Sequence, residues 1–552
     1  MLALTQKVLN VHPMIVMLVM SILWFVMLGQ RDLIDPDEGR YAEISREMVV
    51  SGNWTTPRLN DLKYFEKPAL QYWMTAISFK VFGFSNMAAR FWVALISLLG
   101  AFFMAYVAKR LYGSQAGFYA FITLLSGLMY MVMGHITALD MSVSVFLAIG
   151  IGALVIAQTQ RNEPLKLRNW MLLGWVALAF AVLSKGLIGI VLPGIAMVFY
   201  TLWQRDWKLW TQLHLGKGLF LFLLITVPWF VKVSQENPEF AQFFFIHEHF
   251  ERFTTEQHGR NEPLWYFLPL LLVGAAPWFG TALQALVRPG FSWRIQSGSV
   301  FNAERFMWTY IVGLFLFFSV GSSKLPPYIL PMFPILAILM GKKLAEKKSL
   351  WLEKTTLAIT LLIISAGIYQ VTRVTGHESA SALLAYRDWI IASAIIFAIA
   401  LVKALIVRDK SISLSVMAVL SLLGFQLLLW GFDTQSRHRS AYEMATAVRK
   451  HLDNDITVPI YSVGAFNHSV TFYLQRPVTL VQYKGELEMG IEQEPEKWIS
   501  NWKEFSQQWN NAEQAVAIFD MKTYPDVYQT RMEQLPMNVI YQDILKIAVA
   551  KQ

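Results

Sequence analysis

The chain has 552 residues, a formal net charge of +9, no cysteine and 55% hydrophobic residues, with a mean hydropathy of +0.41. Only 15% of its residues are charged, against about 25% in soluble domains, so a soluble globular protein is excluded and a polytopic membrane protein indicated. The lack of cysteine excludes disulfides and cysteine-ligated metal, and no basic tract interleaved with aromatics supports a nucleic-acid partner.

About thirteen apolar segments approach the roughly 20-residue spanning length, at 13–29, 87–110, 114–133, 137–158, 170–184, 186–203, 217–234, 264–286, 304–321, 328–344, 355–372, 387–406 and 413–431. The run 170–203 is read as two spans because Ser184-Lys185-Gly186 interrupts it. With the N-terminus cytoplasmic, the basic loops holding Lys109/Arg110, Arg161/Lys166/Arg168, Arg205/Lys208, Arg288/Arg294, Lys342/Lys343/Lys347/Lys348 and Lys403/Arg408/Lys410 fall on one side, as the positive-inside rule requires. The loops 30–86 and 235–263, the link Ser322–Pro327 and everything after about 432 then lie outside the cytoplasm.

Charge concentrates in the first of these outer loops, at Asp35, Asp37, Glu38, Arg40, Glu43, Arg46 and Glu47, and again at Glu66 and Lys67. Acidic residues opening a helix suit its positive end, and the plain account is a capped, solvated amphipathic helix on the membrane surface. Lys67, before Pro68, sits in an extended or turn conformation and equally suits snorkelling to headgroups.

Asp140, starting an apolar segment, reads either as a helix cap or as an ionisable group at the mouth of the bundle, and Lys185 shares that ambiguity. The run Phe243–Phe253 carries His247, Glu248, His249 and Arg252; its aromatics suit interfacial anchoring. One histidine with a carboxylate from another loop, such as Glu66, makes a partial metal site, while two histidines two apart on an ordinary helix diverge too far to share an ion. Lys324 and Tyr328 flank Pro326-Pro327, which can simply separate two helices or hold both side chains where a lipid phosphate would lie.

The tail 432–552 reads as a small mixed α/β domain. Strands are expected at Ile456–Tyr461, with Pro459 marking an edge, at Val478–Val481 and at Ala515–Phe519, with helices at 440–452 and 496–511.

Pro36-Asp37-Glu38-Gly39-Arg40-Tyr41-Ala42-Glu43-Ile44, Tyr64-Phe65-Glu66-Lys67-Pro68, Glu248-His249 with Arg252-Phe253, and Lys324-Leu325-Pro326 with Tyr328-Ile329-Leu330 together resemble the bacterial 4-amino-4-deoxy-L-arabinose lipid A transferases. These are polyprenyl-phosphate-dependent glycosyltransferases of the GT-C fold, related to protein O-mannosyltransferases. The resemblance implies a GT-C membrane domain (1–431) of about thirteen helices and a periplasmic α/β domain (432–552). It further implies an inverting transfer of the amino sugar from undecaprenyl phosphate to a lipid A phosphate at the periplasmic face of the inner membrane, without a nucleotide cofactor. Asp37 would be the main catalytic carboxylate and Asp140 a second. Lys67, Arg252 and Tyr328 would hold the carrier phosphate, with Arg40 and Tyr41 lining the cavity and Glu66 and His247 resembling ligands of a divalent metal. Transfer to protein or another glycan, and lipid transport, remain alternatives.

Overall fold

The computed structural model describes residues 2–251, 262–293, 300–372, 379–522, 524–527 and 537–551. Eleven helices and one hairpin occupy the first part of the chain: α1 Leu2–Phe25, α2 Asp37–Ser51, the strands β1 Arg58–Leu59 and β2 Leu62–Lys63, α3 Leu70–Phe82, α4 Asn86–Tyr112, α5 Ser114–Leu125, α6 Leu128–Met133, α7 Leu139–Thr159, α8 Pro164–Lys185, α9 Ile188–Gln204, α10 Lys208–Thr211 and α11 Leu215–Glu236. Among the described residues, eight helices are long and apolar enough to cross a membrane: α4, α7, α8, α11, Ala303–Val320, Trp351–Val371, Leu383–Ile406 and Lys410–Thr434.

Eight of the expected spans correspond to these helices, and the remaining five differ in instructive ways. The apolar parts of α1 and α9 are shorter, and the segment expected at 328–344 is a 3-10 turn, Pro326–Ile329, followed by the helix Met332–Glu346. The segments 114–133 and 264–286 are each broken. The break at Ser126-Gly127 between α5 and α6 faces that between Phe267–Gly274 and Phe279–Val287. Leu128 N–H donates to the Ala276 carbonyl at 3.1 Å and the Trp278 indole to Ser126 Oγ at 2.9 Å. Each break thus satisfies polar groups that hydrocarbon would leave stranded.

Between α1 and α4 the outer loop is ordered by short local devices. Asp37 and Glu38 open α2, which ends at Gly52 in the left-handed conformation (φ 71°) that a helix C-terminus favours in glycine. Asn60 and Asp61, both at positive φ (56° and 59°), turn β1 back on β2, the backbone twist that two-residue hairpins prefer. Contrary to the solvated helix expected, Glu38, Glu43, Arg46 and Glu47 are all buried. Arg46 clasps Glu43 through two hydrogen bonds (2.7 and 2.8 Å), and Glu47 accepts the Asp61 N–H.

The tail forms a six-stranded sheet in the order β5-β4-β3-β6-β8-β7, from β3 Ile460–Val463, β4 Thr479–Val481, β5 Trp498–Ile499, β6 Val516–Asp520, β7 Met537–Gln542 and β8 Lys546–Lys551. Pro459 does not mark an edge: β3 pairs in parallel with both β4 and β6, and Pro459 precedes the strand, offering only its carbonyl, to Val516 N–H. Helices at Tyr442–His451 and Trp502–Asn511 lie within the stretches expected to be helical, whereas the helix His468–Leu474 and the hairpin β7–β8 were not foreseen. Strand alternation divides the sheet's two faces. Tyr461, Val463, Ala517 and Phe519 pack on Phe505 and Trp509. Ile460, Leu480, Val516 and Ile518 join a larger cluster with Leu33, Ile44, Leu59, Leu62 and Phe65 of the outer loop and Trp229 and Phe240 beyond it. Loop and tail therefore share one core, each buried leucine or isoleucine contributing about 1.5–3 kcal/mol.

Candidate active site

Two carboxylates, Glu38 and Asp35, anchor the backbone around the start of α2. Glu38 receives Arg90 Nε and Nη2 at 2.7 Å each, and Thr137 N–H at 3.0 Å. Arg90 also donates to the carbonyls of Leu28, Arg31 and Asp32. Burial opposes the Glu38 charge, but Arg90 outweighs it and holds the carboxyl below its ordinary pKa. On the other flank Asp35 Oδ1 accepts the Ser469 N–H at 2.6 Å. Here burial wins, and the Asp35 pKa is raised despite His468 and Lys546 nearby. Gly39 permits this docking, since a Cβ there would lie 2.5 Å from Ser469 N.

These anchors leave Asp37 projecting, its side chain 56% exposed, with Arg40 Nη2 at 3.7 Å. Arg40 is the hub of a polar cluster: Nη1 donates to Tyr64 Oη at 3.1 Å and lies 3.9 Å from Glu66, and Nη2 pairs with Glu486 at 3.1 Å. The guanidinium is also 5.8 Å from the Tyr41 ring centroid. Burial disfavours its charge, yet Tyr64, Tyr41, Glu486 and Glu66 more than compensate and raise its pKa. Burial, reinforced by Asp37 at Tyr41 and by Glu66 at Tyr64, keeps both phenols protonated well beyond their ordinary range. Lys67 Nζ donates to the Glu66 carbonyl at 2.8 Å.

A second group meets this one at Asp37. Lys185, at the end of α8, forms an ion pair with Asp140 in the first turn of α7 and lies 5.0 Å from the Tyr328 ring centroid. It also feels the charge of Asp37. Asp140 is no N-cap: Ala138 occupies that position, and the carboxylate faces Lys185 instead. Tyr328 rests against Phe318, ring centroids 5.1 Å apart.

The structure thus brings Asp37, Arg40, Tyr41, Glu66, Asp140 and Tyr328 into one linked neighbourhood, with Lys67 beside Glu66. Lys324 is turned elsewhere: among the described residues its ammonium donates to the Glu262 carbonyl at 2.7 Å and to none of these carboxylates. Arg252 and the His247 side chain lie outside the described residues. The helix carrying His247, Gln242–Glu251, is a π-helix, and Phe244 on it is buried rather than presented to lipid as an interfacial anchor would be. It stacks on Phe240 with ring centroids 5.3 Å apart. Among the described residues no group of three or more histidine, cysteine, aspartate or glutamate side chains is disposed to hold a metal ion.

Two contributors came from outside the motifs. Glu486 and His468 pair with each other and bring the C-terminal domain to Arg40. Nothing in the spacing of a polar tail distinguishes Glu486, 446 positions after Arg40, from its many acidic neighbours.

Residues 11–244 match the family model described as dolichyl-phosphate-mannose-protein mannosyltransferase, and 444–551 that described as aminoarabinose transferase C-terminal domain. A protein of Shewanella sediminis called undecaprenyl phosphate-alpha-4-amino-4-deoxy-L-arabinose arabinosyl transferase is 30% identical over 500 residues, covering 86% of this chain and 87% of that one. A namesake from Erwinia tasmaniensis is 36% identical over 324 residues, 58% of this chain, which spans little more than half of that relative's length (57%). Among solved structures, ArnT from Cupriavidus metallidurans bound to undecaprenyl phosphate superposes with a TM-score of 0.89 at 35% identity, covering 97% of both chains.

Proposed function

The chain belongs to the undecaprenyl phosphate-alpha-4-amino-4-deoxy-L-arabinose arabinosyl transferase family, and on that premise we propose that it transfers 4-amino-4-deoxy-L-arabinose from undecaprenyl phosphate to a lipid A phosphate at the periplasmic face of the inner membrane. The observation that carries this reading is the exposed Asp37 carboxylate held at the meeting point of the Arg40 and Lys185 clusters while the residues beside it are locked in ion pairs.

In the reaction, an ionised acceptor phosphate oxygen attacks the anomeric carbon as the bond to the carrier phosphate oxygen breaks. The bonding electron pair departs with undecaprenyl phosphate, inverting the centre through an oxocarbenium-like state. The acceptor has no proton to lose, so Asp37 orients the sugar and opposes the positive charge developing on its ring. Negative charge grows on the leaving phosphate, where Lys67, Arg252 and the Tyr328 hydroxyl would stabilise it; donors already in place need no reorganisation at that moment. Arg40 and Tyr41 shape the cavity wall.

A divalent metal would take Glu66 and His247 as ligands and help to neutralise the leaving phosphate; the His247 side chain lies outside the described residues, and no step runs through the metal. The match of residues 11–244 to protein mannosyltransferases makes a protein acceptor the reading to test against. Membranes of a transferase-deficient strain carrying this gene should yield lipid A with the mass of added aminoarabinose. Asp37→Asn should lower that transfer at least about 100-fold, the range of rate loss when positioned charge stabilisation is removed. Unmodified lipid A with a glycosylated protein instead would replace the proposal, and full activity in Asp37→Asn would remove the carboxylate from the mechanism.

A further inference from the structure

Lys185 stands at the Ser184-Lys185-Gly186 interruption that separates α8 from α9, where Gly186 (φ 93°) ends the helix. Its stem is buried and its ammonium makes two contacts that span the pocket: an ion pair with Asp140 on α7 and a cation–π contact with Tyr328 on the 3-10 turn Pro326–Ile329, 5.0 Å from the ring centroid. The side chains of the Lys185–Asp140 pair are 16% and 15% exposed, so neither charge is well solvated. A buried charge that loses its partner is left uncompensated. The further groups facing the pair are Asp37 from α2 and the Tyr328 ring and hydroxyl.

Resting on the transfer reading above, we propose that Lys185 is a positioning residue for the reaction, fixing the Asp140 carboxylate and the Tyr328 ring so that the tyrosine hydroxyl meets the carrier phosphate. One ammonium thereby ties the second carboxylate to the phosphate-binding tyrosine through a rigid helix end. Its cationic charge also limits repulsion between the Asp37 and Asp140 carboxylates.

The test uses the full-length protein in proteoliposomes with undecaprenyl phosphate-linked aminoarabinose and lipid A. Lys185→Met should lower kcat at neutral pH at least tenfold. Lys185→Arg keeps the charge and should restore at least a third of the rate. Should Lys185→Met fail to fold, Asp140→Asn/Lys185→Met, which leaves no unpaired charge, should fold and lose at least tenfold in kcat, a loss that Lys185→Arg does not share. Wild-type kcat in Lys185→Met or in the double variant, or no rescue by arginine, would overturn the role. These outcomes presuppose transfer by the wild-type protein; its absence would instead sink the functional reading and is seen in the wild-type lane alone.

Discussion

At Glu38 two buried charges are compatible with a stable fold because every part of each is engaged: two carboxylate oxygens with Arg90 and Thr137, and the guanidinium with three carbonyls besides. Removing one partner strands the other. Glu38→Gln should therefore destabilise the protein by about 3 kcal/mol or more, read as a fall in the thermal midpoint in detergent. Asp32 makes a different case. Burial first, then Asp433, push its pKa up to about 6, against the help of Asn86 and Arg90. A carboxyl whose folded pKa is raised lends stability that is complete below its unfolded value and is lost as pH rises through the folded one. Wild-type stability should thus decline between about pH 4 and 6 from this source, and Asp32→Asn should flatten that part of the profile in unfolding measured across pH.

Elements, in contrast, are held to one another through single residues placed by turns. Asn60, at the tip of the β1–β2 hairpin, donates to the Val478 carbonyl at 2.9 Å and accepts its N–H at 2.7 Å, imitating a strand partner for the chain entering β4. Asn60→Ala leaves both groups buried and unpaired, which should cost about 1–3 kcal/mol and hasten proteolysis of the C-terminal domain while the membrane helices survive. The pattern of apolar length made the long helices legible in the sequence, and acidic residues made the start of α2 so. The breaks at Ser126-Gly127 and Ala275–Trp278 were not, because each half looks continuous until the other break is known to face it. Glu43 and Glu47 were expected in solvent for a related reason: a helix rich in charge reads as exposed unless Arg46, the Asp61 N–H and a covering domain are known. Of the site, the motif residues Asp37, Arg40, Tyr41 and Glu66 could be read ahead, since they sit in one loop. The direction of Lys324 was not legible, because the prolines that stiffen its link say nothing of it; its ammonium donates to the Glu262 carbonyl.

On the scale of the whole molecule, the outer loop that carries Asp37 packs in one core both with the C-terminal domain and with Leu139, Leu183 and Trp229 of the apolar helices. Arg58 meets Glu494 through paired hydrogen bonds (2.9 and 3.0 Å) and Lys497 reaches Asp61 at 2.8 Å, while Lys63 binds Glu239 at 2.7 Å beside α11. Reversing one charge, as in Glu494→Arg, should reduce transfer activity by loosening the loop, and the exchange Arg58→Glu/Glu494→Arg should recover most of it. Activity and midpoint measured on the two variants together separate a clamp from a mere surface contact, because partly exposed pairs are otherwise worth under about 1 kcal/mol.

That double allegiance has a bearing on biogenesis. Asn60 finds its partner 418 residues later in the chain and Arg40 pairs with Glu486, so these contacts of the outer loop form only once nearly the whole polypeptide has been synthesised. A nascent chain that ends before the tail would leave both side chains without these partners, so the settled arrangement of the loop is the last part of the molecule to form.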